Sequence, residues 1–359
     1  MAARDAIGSG LRIGRWAERY GILAVVVVMM VFLTIMQPEY FLSVQNLTNV
    51  AKQIVMNSLL AIGLFLVILT AGIDLSVGSI LALAMMAVAM ADKAGWPWPV
   101  VILLGPAVGV AVGAINGLGL TLLRLPHPFI MTLGTLNAVR GLTNLISDGR
   151  PISGLSPEVR FLGSAQIALP SLGPFGAIPV SAFVLLVCYG GVALFLRKIS
   201  VGRHIYAVGG NPQAARVSGI NVDRVLLLVY VLSGFFSGLS ALLLAGRTDS
   251  GFPNAGIGAE LDAIAAVIIG GASFFGGRGT VLGVFSGVLI MGLLRNGLNL
   301  MNVSVFWQQL LIGIIIILAV YVDVLRRRAA VRTEELTHSH AGHRLLRRMR
   351  GPGNRSTTT

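Results

Sequence analysis

The sequence predicts an all-α, polytopic membrane protein of about ten transmembrane helices. Of its 359 residues, 55% are apolar and only 11% are charged, and the mean hydropathy is +0.84. Soluble domains carry roughly 25% charged residues. A chain with so little charge cannot cover a globular surface in water, so most of its outer surface faces hydrocarbon. The 45 glycines lie within apolar runs, as in a bundle of closely packed helices.

Ten apolar runs approach the roughly 20 residues that a helix needs to cross a bilayer. The first run follows Arg12 and Arg15 and could be a signal peptide, but Gln37, Pro38 and Glu39 come after it instead of a small-residue cleavage site. We therefore expect an uncleaved first helix. In chain order, the predicted segments are 20–36, 55–71, 77–91, 100–123, 129–146, 177–196, 225–244, 261–274, 281–294 and 305–324.

Lysines and arginines predict the orientation of these segments, because cytoplasmic loops are enriched in them. With the N-terminus inside, 20 of the 27 lie on the cytoplasmic side. They are four before the first helix, Arg124, four in the loop 197–223 together with the adjoining Arg224, Arg278 and nine from Arg326 onward. The distribution predicts an even number of helices and places both termini in the cytoplasm.

Three parts are expected along the chain. Residues 1–19 form a cytoplasmic segment, residues 20–325 the transmembrane domain, and residues 326–359 a disordered, basic cytoplasmic tail. Three histidines in the tail could bind a metal, but a solvated tail is the expectation. The extracytoplasmic loop 147–176 is rich in proline and is predicted to hold a short surface helix.

Charge and motif content exclude several classes of function. The net charge of +13 does not indicate nucleic-acid binding, because the basic residues are split between loops and the tail. No glycine precedes Lys52, Lys93 or Lys198, the only lysines, so the chain has no phosphate-binding G-x-x-x-x-G-K-[ST] loop. Neither an H-E-x-x-H motif nor a G-x-S-x-G motif is present. We expect no catalytic residue, cofactor or metal on this chain, and any ATP hydrolysis belongs to another subunit.

Glycines recur at every fourth residue in two segments, which places them along one face of each helix. Small residues of this kind let membrane helices approach closely. The pattern predicts two packing faces, formed by Gly105, Gly109, Gly113 and Gly117 and by Gly279, Gly283 and Gly287.

Polar side chains inside the apolar runs are expected to face the bundle interior or a wet cavity. Almost all are neutral, which suits a neutral, hydroxyl-rich solute better than an ion. For each of them, hydrogen bonding between helices stays open beside a role in the pathway. The candidates for the pathway or for gating are Asn57, Asp74, Ser76, Asn116, Thr132, Thr135 and Asn296.

Asp74 is the acidic member of this set. Asp74 and Ser76 precede an apolar run, where their oxygens could cap the free N–H groups of a helix start and the carboxylate would meet the positive end of the helix dipole. A structural cap and a gating role both stay open.

The loop 197–223 contains the sharpest local pattern. Asn211 is a good N-cap, Pro212 fits the first helical position, and Gly219 can end a helix in the left-handed conformation. The sequence therefore predicts a two-turn cytoplasmic helix over 212–218. This helix is either a rigid knob that projects from the membrane or part of an ordinary structured loop.

The stretch A-V-G-G-N-P-Q-A-A-R-V-S-G-I-N-V at 207–222 resembles the cytoplasmic coupling segment of permeases in the ribose-type group of ABC importers. The resemblance extends from near residue 40 to residue 325 and departs mildly at His127, where the family often has proline. Four further motifs are similar to that group: A-G-I-D-L-S-V-G-S at 71–79, P-F-I-M-T-L-G-T at 128–135, L-D-A-I-A-A-V-I-I-G-G at 261–271 and G-G-R-G-T at 276–280.

The resemblance implies an ABC importer permease bundle in a bacterial cytoplasmic membrane. Two permeases would pair there, as two copies or as this chain with a paralogue, surrounded by membrane lipid. Two ATPase subunits, which carry the ATP and Mg²⁺, would dock on their cytoplasmic faces, and an extracytoplasmic binding protein would deliver a monosaccharide. The residues implied in coupling to the ATPase are Gly209, Gly210, Asn211, Pro212, Ala214, Ala215, Arg216, Ser218 and Gly219.

Other transport classes remain as alternatives. A permease for branched-chain amino acids or nucleosides has a similar fold, although no obvious cationic site for a substrate carboxylate is seen. A secondary transporter needs a coupling-ion site, usually acidic residues near the bilayer midplane, and Asp74 is the one plausible candidate. An intramembrane enzyme is the weakest alternative, because no nucleophile, base or metal cluster is evident.

Overall fold

The computed structural model describes residues 21–125, 127–168 and 177–325. The expected N-terminal segment 1–19 and the expected disordered tail 326–359 lie outside the described residues. Within them the chain forms thirteen helices: α1 (Gly21–Met36), α2 (Val44–Leu69), α3 (Val77–Lys93), α4 (Trp98–Leu122), α5 (Pro128–Ser147), α6 (Pro157–Ser164), α7 (Val180–Lys198), α8 (Ser200–Gly210), α9 (Pro212–Val217), α10 (Val222–Thr248), α11 (Ala259–Ile269), α12 (Val281–Leu300) and α13 (Val305–Leu325).

Each of the ten predicted segments coincides with a helix, but the count of about ten membrane crossings is not confirmed. Among the described residues, six helices are long and apolar enough to span a bilayer, namely α2, α4, α7, α10, α12 and α13. Helix α5 has 20 residues but is more polar, and α1, α3 and α11 are shorter. A multi-pass helical membrane protein is therefore established by at least six apolar helices.

Side chains fix where several of the helices begin. Ser43 Oγ accepts the N–H of Asn46 at the start of α2, and His127 Nδ1 accepts the N–H of Phe129 at the start of α5. Thr280 Oγ1 does the same for α12. These caps satisfy amides that have no partner within their own helix.

Two buried helices organise the bundle. Helix α2 lies in the centre, where Leu59, Leu64 and Val67 are completely buried. Helix α10 packs against α2, α3, α4 and α6, and α11 and α12 also pack against α2.

Polar contacts gather α3, α6 and α10 at one end of the bundle. Asp92, at the end of α3, accepts the Ser156 N–H at 2.8 Å, and Asp249, after α10, accepts the Leu155 N–H at 2.7 Å. Arg160 of α6 also donates to Asp249, at 3.1 Å. The short helix predicted in the loop 147–176 is confirmed as α6.

Two small antiparallel sheets complete this end of the bundle. Strand β1 (Ile152–Ser153) pairs with β4 (Ser250–Gly251), and β2 (Gln166–Ala168) pairs with β3 (Ala177–Pro179). The first sheet joins the α5–α6 loop to the end of α10.

Candidate functional site

The buried turn between α2 and α3 is organised by the carboxylate of Asp74, which is fully buried. Asp74 Oδ1 accepts hydrogen bonds from the Ser76 N–H at 3.0 Å and from Ser76 Oγ at 2.6 Å. Asp74 Oδ2 accepts a hydrogen bond from Ser233 Oγ of α10 at 2.9 Å. Three donors thus surround one acidic side chain, as burial of a carboxyl group requires.

Of the two roles left open at this position, a side-chain cap by Ser76 is not formed. Ser76 precedes α3 in a helical backbone conformation, and its side chain accepts no N–H from that helix. Its hydroxyl is already used, because it donates to Asp74 and accepts from Asn116 Nδ2 of α4 at 2.8 Å. The pair therefore joins the turn to α4 and α10 instead of capping α3.

The backbone of the turn is bonded to α10 again and to one further helix, α5. The Ile73 carbonyl accepts Tyr230 OH from α10 at 3.3 Å and Thr132 Oγ1 from α5 at 3.2 Å. Asn116 Oδ1 is buried and has no partner among the described residues. The structure thus brings Asp74, Ser76, Asn116 and Thr132 together, and it leaves one amide oxygen available.

Three other polar candidates lie apart from this turn. Thr135 Oγ1 donates to the Met131 carbonyl of its own helix, and Asn296 exchanges two hydrogen bonds with Asn46 between α12 and α2. Asn57 Oδ1 is buried without a partner within the described part of the chain. None of the three has a hydrogen bond to the Asp74 turn.

Sequence reasoning missed Ser233 and Tyr230. Both lie on α10, where Ser233, Ser237 and Ser240 recur among glycines. That recurrence of serines at helical spacing was the available signal, because hydroxyl groups in an apolar helix need partners inside the protein.

The helix predicted in the loop 197–223 is present as α9. Asn211 Oδ1 accepts the N–H groups of Gln213 and Ala214, Pro212 is the first helical residue, and Gly219 has φ +84°. Helix α8 precedes α9 directly, so the loop is almost entirely helical.

Burial corrects the set of residues that are available to a partner on this loop. Ala215 is only 4% exposed and Gly209 is buried, so neither residue is open to contact with a partner protein. Ala214 is exposed, and Val217, which sequence reasoning did not single out, is 91% exposed. The outer face of α9 therefore carries Ala214 and Val217, flanked by an exposed Arg216–Asp223 pair at 3.6 Å.

The other predicted coupling residues are surface positions. Gly210, Asn211, Pro212, Ser218 and Gly219 are all exposed. They surround the outer face of α9 and shape its two ends.

Helix α8 touches the end of α2 directly. A Cβ atom on Gly209 would collide with the Leu69 carbonyl and the Gly277 amide, and the Gly277 N–H donates to Leu69 O at 2.9 Å. Tyr206 OH of α8 donates to the Gly279 carbonyl at 3.0 Å. A continuous series of contacts thus runs from the loop 197–223 to the end of α2, five residues before Asp74.

The glycine face of α4 lies against α10. A Cβ atom on Gly105, Gly109 or Gly113 would meet the backbone of α10 at Gly238, Gly234 and Tyr230, respectively, and one on Gly117 would meet Leu227. The four glycines are thus in close contact with one helix.

The second glycine face is shorter than expected. Gly283 and Gly287 of α12 face the Gly270 and Ala266 carbonyls at the end of α11. Gly279 is not on the same helix face, because α12 begins at Val281 and Gly279 has φ +153° in the preceding loop.

Two arginines within the helices are already engaged by other groups of the protein. Arg140 of α5 donates to the carbonyls of Pro253 and Ala255, each at 2.8 Å, and Arg295 of α12 pairs with Asp262 of α11. Asp262, which lies within α11, is therefore a second acidic residue in the bundle beside Asp74. Among the described residues, no group of three or more His, Cys, Asp or Glu side chains could hold a metal ion.

Comparison with known proteins gives one family. The family described as branched-chain amino acid transport system / permease component matches residues 46–320. No solved structure gives a significant match.

Three curated relatives cover most of the chain. The ribose import permease protein of Bacillus subtilis is 42% identical over 303 residues, 84% of this chain and 91% of that protein. The D-allose transport system permease protein of Escherichia coli is 40% identical over 309 residues, 85% of this chain and 91% of that protein. The galactose/methyl galactoside import permease protein of Escherichia coli is 38% identical over 321 residues, 85% of this chain and 94% of that protein.

Proposed function

Since this chain belongs to the family of branched-chain amino acid transport system permease components, we propose that it is the membrane-spanning permease subunit of an ATP-binding-cassette importer for a monosaccharide. The observation that carries the proposal is the likeness to ribose, allose and galactose permeases along most of the chain. The chain is a transport subunit and not an enzyme.

The polar groups of the buried turn support a neutral solute. Hydroxyl and amide side chains form its hydrogen bonds, and none of the described hydrogen bonds to the turn comes from a cation. A substrate carboxylate would need a cationic donor at this place. This arrangement favours a sugar over a branched-chain amino acid.

The partners follow from the two ends of the bundle. An ATPase subunit, with its ATP and Mg²⁺, docks on the outer face of α9, where Val217 offers an apolar side chain and Arg216 a charge. A sugar-binding protein docks at the opposite end, near α6, and a second permease completes the pathway. The surplus of Lys and Arg in the loop 197–223 supports placing α9 in the cytoplasm of a bacterial cell.

Movement of α9 would be transmitted to the buried turn through the backbone contacts of α8 with α2. At Gly209, the backbone of α8 lies directly against the Leu69 carbonyl, because glycine has no side chain to separate them. A shift of α8 therefore displaces the end of α2. The Asp74 turn follows that end and is bonded to α4, α5 and α10. We assign the turn as the gating element of the pathway.

Uptake of labelled sugars tests the function. Cells with and without the gene are supplied with ribose, allose or galactose, and we expect uptake of one sugar to fall about tenfold or more without the gene. ATP depletion should abolish that uptake, whereas ionophores that collapse ion gradients at constant ATP should not. Uptake that survives ATP depletion and disappears with the ion gradient would instead identify a secondary transporter.

A further inference from the structure

A cleft where α2, α6, α7 and α10 meet is lined by two basic side chains. It is a narrow cleft that opens to the surface, and Lys52 and Arg247 line it together with Ser181. Arg247 Nη1 donates to the Lys52 carbonyl at 3.2 Å, which holds the guanidinium group against α2. Within the described residues, neither cation forms an ion pair with Asp or Glu. Two like charges therefore share one cleft with no acidic side chain to neutralise them.

Ser181 adds an unpaired hydroxyl group to the same cleft. Its side chain is only 3% exposed, and no hydrogen bond to it is found in the described part of the chain. Ser181 lies in the first turn of α7, whose N-terminus has no side-chain cap. The serine hydroxyl can donate a hydrogen bond to a ligand in the cleft, and helix N-termini attract negative charge. All three polar features of the cleft thus suit an anion with several acceptor oxygens.

Arg247 has donors to spare. A guanidinium group carries five N–H donors, and the one described hydrogen bond of this side chain uses Nη1. The remaining donors and the Lys52 ammonium can bind phosphate oxygens, which arginine contacts in a bidentate manner.

The rest of the wall is apolar. Met56, Leu243 and Leu244 line the cleft beside the cations. A free inorganic anion would gain nothing from these side chains, whereas a phospholipid has an acyl chain to place against them. Arg247 lies in the last turn of α10 and Ser181 in the first turn of α7, so the cleft lies where membrane helices end, at the depth of lipid headgroups.

We propose that this cleft binds the phosphodiester of an anionic phospholipid, with Lys52, Arg247 and Ser181 contacting the phosphate and Leu243 and Leu244 contacting the acyl chain. The site does not depend on which solute the protein transports, so it stands or falls separately from the proposed function. It links the start of α7 to the end of α10 through a lipid.

Lipid binding to the purified full-length permease tests this site. Native mass spectrometry would compare phosphatidylglycerol with phosphatidylcholine, and we expect the anionic lipid to bind preferentially. Lys52→Gln and Arg247→Gln should each weaken phosphatidylglycerol binding about fivefold, since one basic residue near anionic lipid contributes about 1 kcal/mol. Lys52→Arg, which keeps the charge, should retain binding.

A matched control removes a cation at the same end of the bundle but outside the cleft. Arg150→Gln changes an exposed residue whose partner is the equally exposed Asp148, and it should bind the lipid like the unaltered protein. Elution as a monodisperse species in size-exclusion chromatography checks that each variant is folded. Equal binding of both lipids, or full binding by the Lys52→Gln/Arg247→Gln variant, would overturn the proposal. Displacement of the lipid by millimolar inorganic phosphate would also overturn it, in favour of a free-phosphate site.

Discussion

The carboxylate of Asp74 accepts a hydrogen bond from Ser233 Oγ at 2.9 Å, which ties the α2–α3 turn to α10 across 159 residues of sequence. The same carboxylate also holds Ser76, which accepts from Asn116 of α4. One buried acidic group therefore determines how the turn lies against two helices.

Removing the Ser233 hydroxyl should weaken that connection without unfolding the bundle. We expect Ser233→Ala to destabilise the protein by about 1 kcal/mol, the scale of a hydrogen bond between membrane helices. Asp74→Ala should cost about 3 kcal/mol, because it leaves buried donors unpaired. Thermal unfolding in detergent and sugar uptake would be measured for both.

Ser237→Ala is the matched control for this pair. Ser237 is also buried on α10, but its hydroxyl bonds only to the Ser233 carbonyl of its own helix. A Ser237→Ala variant as impaired in uptake as Ser233→Ala would contradict a specific role for the bond to Asp74.

Adding a methyl group to a glycine of α4 at its contact with α10 should destabilise the protein. In Gly109→Ala the new Cβ atom would overlap the Gly234 carbonyl, and we expect a loss of about 1–3 kcal/mol from overpacking. Gly134→Ala on α5 is the control, because a Cβ atom there meets nothing within 4 Å in the described chain. Thermal unfolding should separate the two variants, and similar melting temperatures would mean that α4 and α10 are less closely packed.

A charge on the outer face of α9 should prevent docking of the ATPase. Ala214→Arg and Val217→Asp alter exposed positions, so we expect normal amounts of protein in the membrane but loss of ATPase co-purification and of uptake. Ala214→Ser is the conservative control and should retain both. Retention of the ATPase by both charged variants would show that α9 is not the docking element.

Ala215 and Gly219 separate folding from docking on the same helix. Ala215→Arg should reduce the amount of folded protein, because Ala215 is buried. Gly219→Val should strain the end of α9, since β-branched residues strongly disfavour a φ of +84°. Protein levels in the membrane would be compared with those of Ala214→Arg, and equal levels for Ala215→Arg and Ala214→Arg would contradict the burial of Ala215.

Labelling of single cysteines tests the predicted orientation. After Cys188→Ala, a membrane-impermeant thiol reagent applied to intact cells should label Arg150→Cys and should not label Arg203→Cys. Both positions are exposed, so accessibility within the protein does not differ between them. Labelling of only Arg203→Cys would reverse the orientation of the whole bundle.

Local patterns were sufficient for most of the helices. Hydropathy located ten of them, and the cap residues Asn211 and Pro212 located α9, because both depend on neighbouring residues alone. The count of about ten membrane crossings from the same patterns is not confirmed, since α3 begins only after the turn at Asp74 and α11 ends at Gly270, which leaves both helices short. An apolar run has the same hydropathy whether it continues as one long helix or bends inside the protein.

Residue composition by itself determined that the chain is a helical membrane protein, because the requirement to face hydrocarbon acts on every segment separately. The residues before the three lysines determined that the sequence has no phosphate-binding loop. Only the tertiary structure decided that Ser233 meets Asp74, that Ala215 is buried while Val217 is exposed, and that Lys52 shares a cleft with Arg247. Each of these facts depends on which faces of distant helices come together. That choice is made by close packing of the whole bundle, and no local stretch of sequence contains it.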